Sequence, residues 1–260
     1  MSFQPKSAAI VRGQYAWSQA APHPALARWV SSYWTLSTGP GPHEVRTLPD
    51  ACVDLTLRLG GAPRAFVAGP QARAKTWRSR GRTELVGARL MPGAATLLGV
   101  DVEALRVGWT PLEDFVPKAA VARLVRDVMR GASLAERAHA LDAFLSERLL
   151  NRELDPRLSA ALRVVFAGAG RVSVAKLARA SGASTRTLAR LFDRCIGLSP
   201  KRFARIVRFQ GALRALPGSD NWARVALELG YHDQAHFVRD VRELFGATPG
   251  AVVGLASHTQ

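Results

Sequence analysis

Residues 173–200 read SVAKLARASGASTRTLARLFDRCIGLSP, and residues 221–249 read NWARVALELGYHDQAHFVRDVRELFGATP. These two stretches are one pattern written twice. Ala178 and Gly182 return 48 positions later as Ala226 and Gly230. Ser184, Leu188, Arg190, Gly197 and Pro200 return 49 positions later as Asp233, Phe237, Arg239, Gly246 and Pro249. One residue inserted in the second turn accounts for the change of offset. Each unit reads as a short helix, a glycine turn, a capping Ser or Asp, an amphipathic helix, a glycine stop and a helix-opening proline. A short helix and a longer one across a tight turn make a helix-turn-helix, whose second helix enters the major groove of duplex DNA.

In the first unit Ser173 caps Val174–Ala180, and Ser184 caps a recognition helix over about 185–195. At 100° per residue, Leu188, Leu191, Phe192 and Cys195 share an inward face, while Arg186, Ala189, Arg190 and Asp193 lie opposite. The second recognition helix, about 234–245, turns Phe237, Val241 and Leu244 inward and Ala235, Arg239 and Arg242 outward, with His236 beside them. A small residue one turn from an arginine lets a helix approach the base edges, where Arg can donate two hydrogen bonds to guanine. Arginines on one surface helix mean little. The same arrangement on two helices at a fixed offset points to a reading face. The helix predicted from Pro200 to Leu216 carries Lys201, Arg202, Arg205, Arg208 and Arg214. It would span ~25 Å, enough to hold two recognition helices near the ~34 Å separation of successive major grooves. Arg205 and Arg208 are the expected phosphate contacts.

The charge agrees. The chain of 260 residues carries a net charge of +16, which calls for a polyanionic partner. Residues 156–260 hold 16 Lys and Arg against 6 Asp and Glu, so the basic density rises toward the C-terminus. An apolar content of 48% is that of a globular chain, and the length suits two modest domains. The two cysteines, Cys52 and Cys195, have no paired spacing, which argues against a disulfide framework or a zinc site and fits a reducing compartment. Met1-Ser2-Phe3-Gln4-Pro5-Lys6 lacks the apolar core of a signal peptide, and no apolar run suffices for a membrane span. The expectation is a cytoplasmic protein with no membrane partner.

Upstream, the period changes. Val53-Asp54-Leu55-Thr56-Leu57-Arg58-Leu59 alternates as a strand does, and Ser32–Leu36, Ala65–Ala68 and Glu84–Leu90 are shorter strand candidates. Ala94–Leu98 reads as a short helix. From Pro117 onward the spacing of Val121, Leu124, Val125 and Val128 is helical, and Ser133-Leu134-Ala135-Glu136 is a capping box that opens a second helix. The fold class is therefore α+β: a β-rich domain over 1–115, a helical connector and linker over 116–155, and an all-α domain over 156–260 with two helix-turn-helix motifs.

Residues 158 to 255 resemble the DNA-binding domain of the AraC/XylS family of transcription regulators. The resemblance rests on Leu177-Ala178, Gly182-Ala183-Ser184, Leu188-Ala189-Arg190-Leu191-Phe192, Gly197-Leu198-Ser199-Pro200, Ala226, Gly230-Tyr231-His232-Asp233-Gln234-Ala235-His236-Phe237, Arg239, Phe245-Gly246 and Thr248-Pro249. It implies sequence-specific binding of double-stranded DNA, with base-reading positions at Thr185, Arg186, Ala189 and Arg190 in the first unit and Ala235, His236 and Arg239 in the second. Val241 departs from the aromatic residue usual there, and Ala189 and Ala235 are too small to donate hydrogen bonds. Such regulators often carry a cupin-like barrel that binds a small-molecule effector or dimerises, and RNA polymerase is a further partner in this reading. Leu48-Pro49-Asp50-Ala51-Cys52-Val53-Asp54 and Gly87-Ala88-Arg89-Leu90-Met91-Pro92-Gly93-Ala94 look like landmarks of an uncharacterised N-terminal domain found in some of them.

Several features admit two readings. Asp50, Cys52 and Asp54 would share one face of a strand and line an effector pocket; alternatively Asp50 ends a turn, Cys52 is buried and Asp54 caps a backbone group. Arg73, Lys75, Arg78, Arg80 and Arg82 around Trp77 form a solvated basic turn, or else touch phosphate or an acidic ligand. His232 and His236 have the spacing of metal ligands on a helix, but no third ligand accompanies them and Asp233 reads as an N-cap, so neither metal nor cofactor is expected. Two rival functions are a DNA-repair enzyme with a cysteine methyl acceptor and a non-specific architectural binder. The first lacks a setting that would activate Cys52, so no enzyme activity is expected. The second would show no preference among DNA sequences. Both a monomer and a homodimer are compatible with the sequence.

Overall fold

The computed structural model of the chain describes residues 9–62, 64–215 and 221–256. Its N-terminal part contains strands β1 (Ala9–Arg12), β2 (Tyr15–Ala20), β3 (Val30–Thr38), β4 (Pro42–Thr47), β5 (Val53–Arg58), β6 (Arg64–Ala68), β7 (Lys75–Arg80), β8 (Thr83–Leu90) and β9 (Trp109–Pro111). They form two antiparallel sheets, one in the order β1-β4-β7 and the other in the order β2-β3-β8-β5-β6-β9. The alternating run at Val53 becomes a central strand, with Leu55 opposite Val67 on one side and Ala88 on the other. Thr56, on its polar face, is buried as well, so the alternation marks two covered faces. The basic segment around Trp77 forms an edge strand, β7, where exposed charges discourage pairing with another chain. Ala94–Leu98 is a single 3-10 turn.

Helices α1 (Lys118–Arg130) and α2 (Leu134–Leu149) follow. Ser133 caps α2 by accepting from the Glu136 N–H, and Glu136 reaches back to the Ala132 N–H. Val121, Leu124, Val128, Leu141 and Leu145 join Leu55, Val67 and Val86 in one core. This hairpin, expected as a connector, is thus packed into the N-terminal unit, because each helix has an apolar face that the sheet and the other helix cover. The linker is held too. Arg28 donates to the Leu150 carbonyl and pairs with Glu153.

The C-terminal part is helical: α3 (Pro156–Ala167), α4 (Val174–Ala180), α5 (Thr185–Ile196), α6 (Pro200–Ala215), α7 (Trp222–Glu228), α8 (Gln234–Phe245) and α9 (Pro249–Ala256). Asp155, Ser173, Ser184, Asn221 and Asp233 each cap a helix through a side-chain oxygen, as short polar side chains do for otherwise unpaired N–H groups. Phe192, Phe203, Phe209 and Phe237 are fully buried in its core, and Phe203 meets Phe166 and Phe192 edge-on. Truncating one such ring costs about 3–5 kcal/mol. The expected end of the linking helix at Leu216, the Pro217-Gly218 break and residues Met1 to Lys6 lie outside the described residues. Among the described residues, no helix is long and apolar enough to cross a membrane. The molecule is α+β.

Candidate nucleic-acid interface

Each helix-turn-helix is built the same way. The chain leaves α4 and α7 through Gly182 at φ +61° and Gly230 at φ +72°, left-handed conformations that glycine adopts without a Cβ clash. The next helix is then fixed by its cap: the Thr187 N–H donates to Ser184 Oγ at 3.1 Å, and the His236 N–H to Asp233 Oδ1 at 2.7 Å. The inward faces close on the core, with Leu188, Phe192, Phe237 and Val241 fully buried. That orientation leaves Thr185, Arg186, Ala189 and Arg190 of α5 exposed, and likewise Ala235, Arg239 and Arg242 of α8. His236 is half-buried, edge-on to Tyr231 at 5.2 Å. Arg186, Arg190 and Arg239 enter no ion pair among the described residues. Two helices thus present uncommitted arginines beside a small residue, from equivalent places in the repeat.

Residues 177–253 match the family model described as "Helix-turn-helix domain". This stretch resembles the DNA-binding domain of AraC-type regulators. Residues 18–106 match a second model, described as "Domain of unknown function (DUF6597)". An 82-residue segment is 33% identical to the "Probable thc operon regulatory protein" of Rhodococcus erythropolis, covering 30% of this chain. The chain spans only 25% of the length of that relative. A solved AraC-type transcriptional regulator from Chromobacterium violaceum is 24% identical with a TM-score of 0.38, over 40% of this chain and 96% of that one. ToxT from Vibrio cholerae is 8% identical with a TM-score of 0.46, over 93% of this chain and 98% of that one. Structural likeness at this level is loose, and the resemblance to AraC-type regulators rests on the helix-turn-helix sequence.

On the linking helix α6, both expected phosphate contacts are engaged within the protein. The Arg205 guanidinium donates to Asp240 Oδ1 at 2.6 Å and to Glu243 Oε2 at 2.7 Å, tying α6 to α8. Asp240 is buried, so the ion pair is where the Arg205 charge is spent. Arg208 is half-buried, its guanidinium 4.7 Å from the centre of the Tyr231 ring and directed at the Gly230 carbonyl. It braces the second turn. The sequence placed both arginines on one helix but did not show that the acidic partner of Arg205 sits on α8, 35 residues away. Meanwhile Lys176 and Arg179 on α4, and Lys201 at the start of α6, are exposed and enter no ion pair among the described residues. The outward faces of the two recognition helices do not by themselves point to these three cations. The signal available was that the first helix of such a motif crosses the DNA backbone.

The candidate effector residues Asp50, Cys52 and Asp54 do not share a strand face. Strand β5 begins only at Val53, and Ala51 takes φ +60° just before it. Asp50 and Asp54 both grip Arg89, at 3.2 and 2.9 Å, and the Trp34 indole N–H donates to Asp54. Burial pushes the Asp50 carboxyl up to about 6 despite the opposing pull of Arg89, whose charge Asp54 shares. Cys52 is buried with its thiol directed at the Asp50 carbonyl, and burial together with the Asp50 carboxylate pushes its pKa up, so the reactive thiolate is disfavoured. The trio is a filled structural centre. An open groove lies elsewhere, between β6 and α1, with a volume of about 1020 Å³; Phe66, Val125 and Met129 line it together with Arg64, Lys118 and Arg126 and the acidic Glu113.

Proposed function

We propose that the chain is a sequence-specific transcription regulator that inserts α5 and α8 into successive major grooves of double-stranded DNA. The observation that carries this reading is the pair of exposed, unpaired arginine faces at equivalent positions of a repeated helix-turn-helix. The 16 residues of α6 between them span about 24 Å. Arg190 and Arg239 read bases in two half-sites, joined by Arg186, Thr185 and His236, while Ala189 and Ala235 allow close approach. Lys176, Arg179 and Lys201 replace Arg205 and Arg208 as the phosphate contacts. The domains divide at 151–155, and the N-terminal unit modulates binding. Its groove between β6 and α1 is the candidate seat of a small-molecule effector, which in this reading is an anion with an apolar body. RNA polymerase is a further partner in this reading.

Selection from randomised duplex DNA tests the reading. Arg190→Ala relaxes base preference in one half-site and Arg239→Ala in the other, each by about 1–3 kcal/mol of discrimination. Uniform loss of affinity with unchanged preferences in both variants would make these arginines phosphate clamps. A wild-type chain with no preference over bulk DNA would make the protein an architectural binder.

A further inference from the structure

The segment over 46–54 crosses from one half of the molecule to the other. At its start, Arg46 on β4 lays its guanidinium 4.3 Å from the centre of the Phe245 ring and donates a hydrogen bond to the Phe245 carbonyl, in the last turn of α8. Leu48 and Ala51 are buried in the helical core and not in that of the sheets. Between them, the Pro49 carbonyl accepts from Gln210 Nε2 at 2.7 Å, in the middle of α6. Gln210 is itself fully buried. The segment then turns through the left-handed Ala51 and is pinned to the large sheet by the Asp50–Arg89–Asp54 ion pairs.

Other contacts run parallel to it. The Ala74 N–H donates to the Leu244 carbonyl at 2.7 Å, and Arg73 pairs with the same Glu243 that Arg205 holds from α6. At the end of α5, a Cβ on Gly197 would come within 2.9 Å of Val102 and 3.2 Å of Pro70, so the N-terminal unit touches the first motif as closely as the second. The reading faces stay exposed while all of these contacts are made. The contacts therefore do not mask the arginines. They fix where the C-terminal end of α8 lies relative to α6 and α5.

We propose that Arg46, with the 48–54 segment behind it, is a positioning element that sets the inclination of the second recognition helix and hence the half-site spacing the chain accepts. The proposal rests on the two-groove reading above. Arg46 acts from outside the helix-turn-helix domain and touches no DNA in this arrangement. A carbonyl at a helix C-terminus carries partial negative charge and has no intrahelical partner, so a guanidinium seated there holds the helix end directionally. With that contact gone, α8 keeps its core contacts and its own reading face but loses the contact that holds its last carbonyl, and the Ala74 and Arg73 contacts one and two residues earlier are left to fix its tilt alone.

The test uses the full chain and a series of duplexes carrying the selected half-sites with base pairs added or removed between them. The wild type binds one spacing best and falls off steeply on either side. Arg46→Met keeps an apolar stem over Phe245 but has no donor. It lowers affinity at the best spacing by roughly tenfold and flattens the spacing curve, while base preferences within each half-site stay unchanged. Arg46→Lys, which retains a donor, restores part of the dependence. Gln210→Met removes a separate contact to the same segment and gives the same flattening, which covers the event that Arg46→Met does not fold. Spacing curves for the folded variants that parallel the wild type overturn the proposal. A wild-type curve that is itself flat overturns the two-groove reading instead, and the positioning role falls with it.

Discussion

Arg205→Ala separates two roles that a surface arginine on a DNA-binding domain can have. In the structure it bridges Asp240 and Glu243, whose side chains are 7% and 40% exposed, while its own is 23% exposed. The Glu243 limb is half in water and contributes about 0–1 kcal/mol. The Asp240 limb matters more, because removing its partner strands a carboxylate that α6 and α8 enclose. Breaking a fully buried pair in this way costs about 3–5 kcal/mol, and the solvent access of Arg205 lowers that to roughly 2–3 kcal/mol. For a chain of this length the melting temperature should fall by roughly 5–10 °C. Arg205→Met combined with Asp240→Leu should recover much of the loss, since an apolar pair needs no charge compensation.

The discriminating assay is DNA affinity against salt, measured well below the melting temperature. A phosphate contact adds about −0.9 to the slope of log affinity against log salt. If Arg205 is a brace between helices, Arg205→Ala leaves that slope unchanged, whereas Lys201→Ala reduces its magnitude by about 0.9 with no change in melting temperature. The reasoning fails if Arg205→Ala melts with the wild type and loses a phosphate's share of the salt slope. That result would mean the side chain leaves Asp240 for DNA.

Three further outcomes are expected. The Asp50 carboxyl titrates at about 6 in the folded protein, above its unfolded value, so the native state holds its proton more tightly. The contribution is complete below about pH 4 and is lost as pH rises through 6, by at most ~3 kcal/mol; urea unfolding at the two ends of that window should show the fall in wild type and its absence in Asp50→Asn. Arg28→Ala releases the Leu150 carbonyl and Glu153 of the linker, so trypsin should cut after Arg152 several-fold faster and release two stable fragments; scattered cleavage would count against a division at 151–155. The fluorescent anion 1-anilinonaphthalene-8-sulfonate should bind the groove between β6 and α1, and Met129→Glu should abolish that binding; equal fluorescence in the variant would place the probe elsewhere.

The repeat made the C-terminal domain legible in detail, because everything that defines it is local. Caps at Ser184 and Asp233, turns at Gly182 and Gly230 and the 3.6-residue spacing of Leu188, Leu191 and Phe192 all act within a dozen residues of one another. Strand β7 was not legible, since its exposed, charged side chains show no alternation and only pairing with β4 makes it a strand. The site assignments that changed did so for the same reason. Arg205 reads as a phosphate contact until Asp240 is brought beside it, and Asp50 and Asp54 read as a pocket until Arg89 is placed between them.

These two cases bear on how such a chain combines a high positive charge with a specific interface. Of the basic residues on α6, the inward Arg205 and Arg208 are neutralised by a buried acid or seated on a ring, and the exposed Lys201 enters no ion pair among the described residues. An inward arginine left unpaired would be costly to bury, and an outward one held in an ion pair would have to give up that pair before it could meet a phosphate. The basic surplus of the domain is thus divided by geometry into struts and contacts. Arg46 extends the same division across the domain boundary: it is a cation whose partners are a ring face and a helix end, 199 residues away in sequence, at the far end of a helix whose exposed face carries Arg239. A change in the sheet that moves β4 must therefore move the end of α8 with it or break that contact, and either event alters the seat of the second recognition helix.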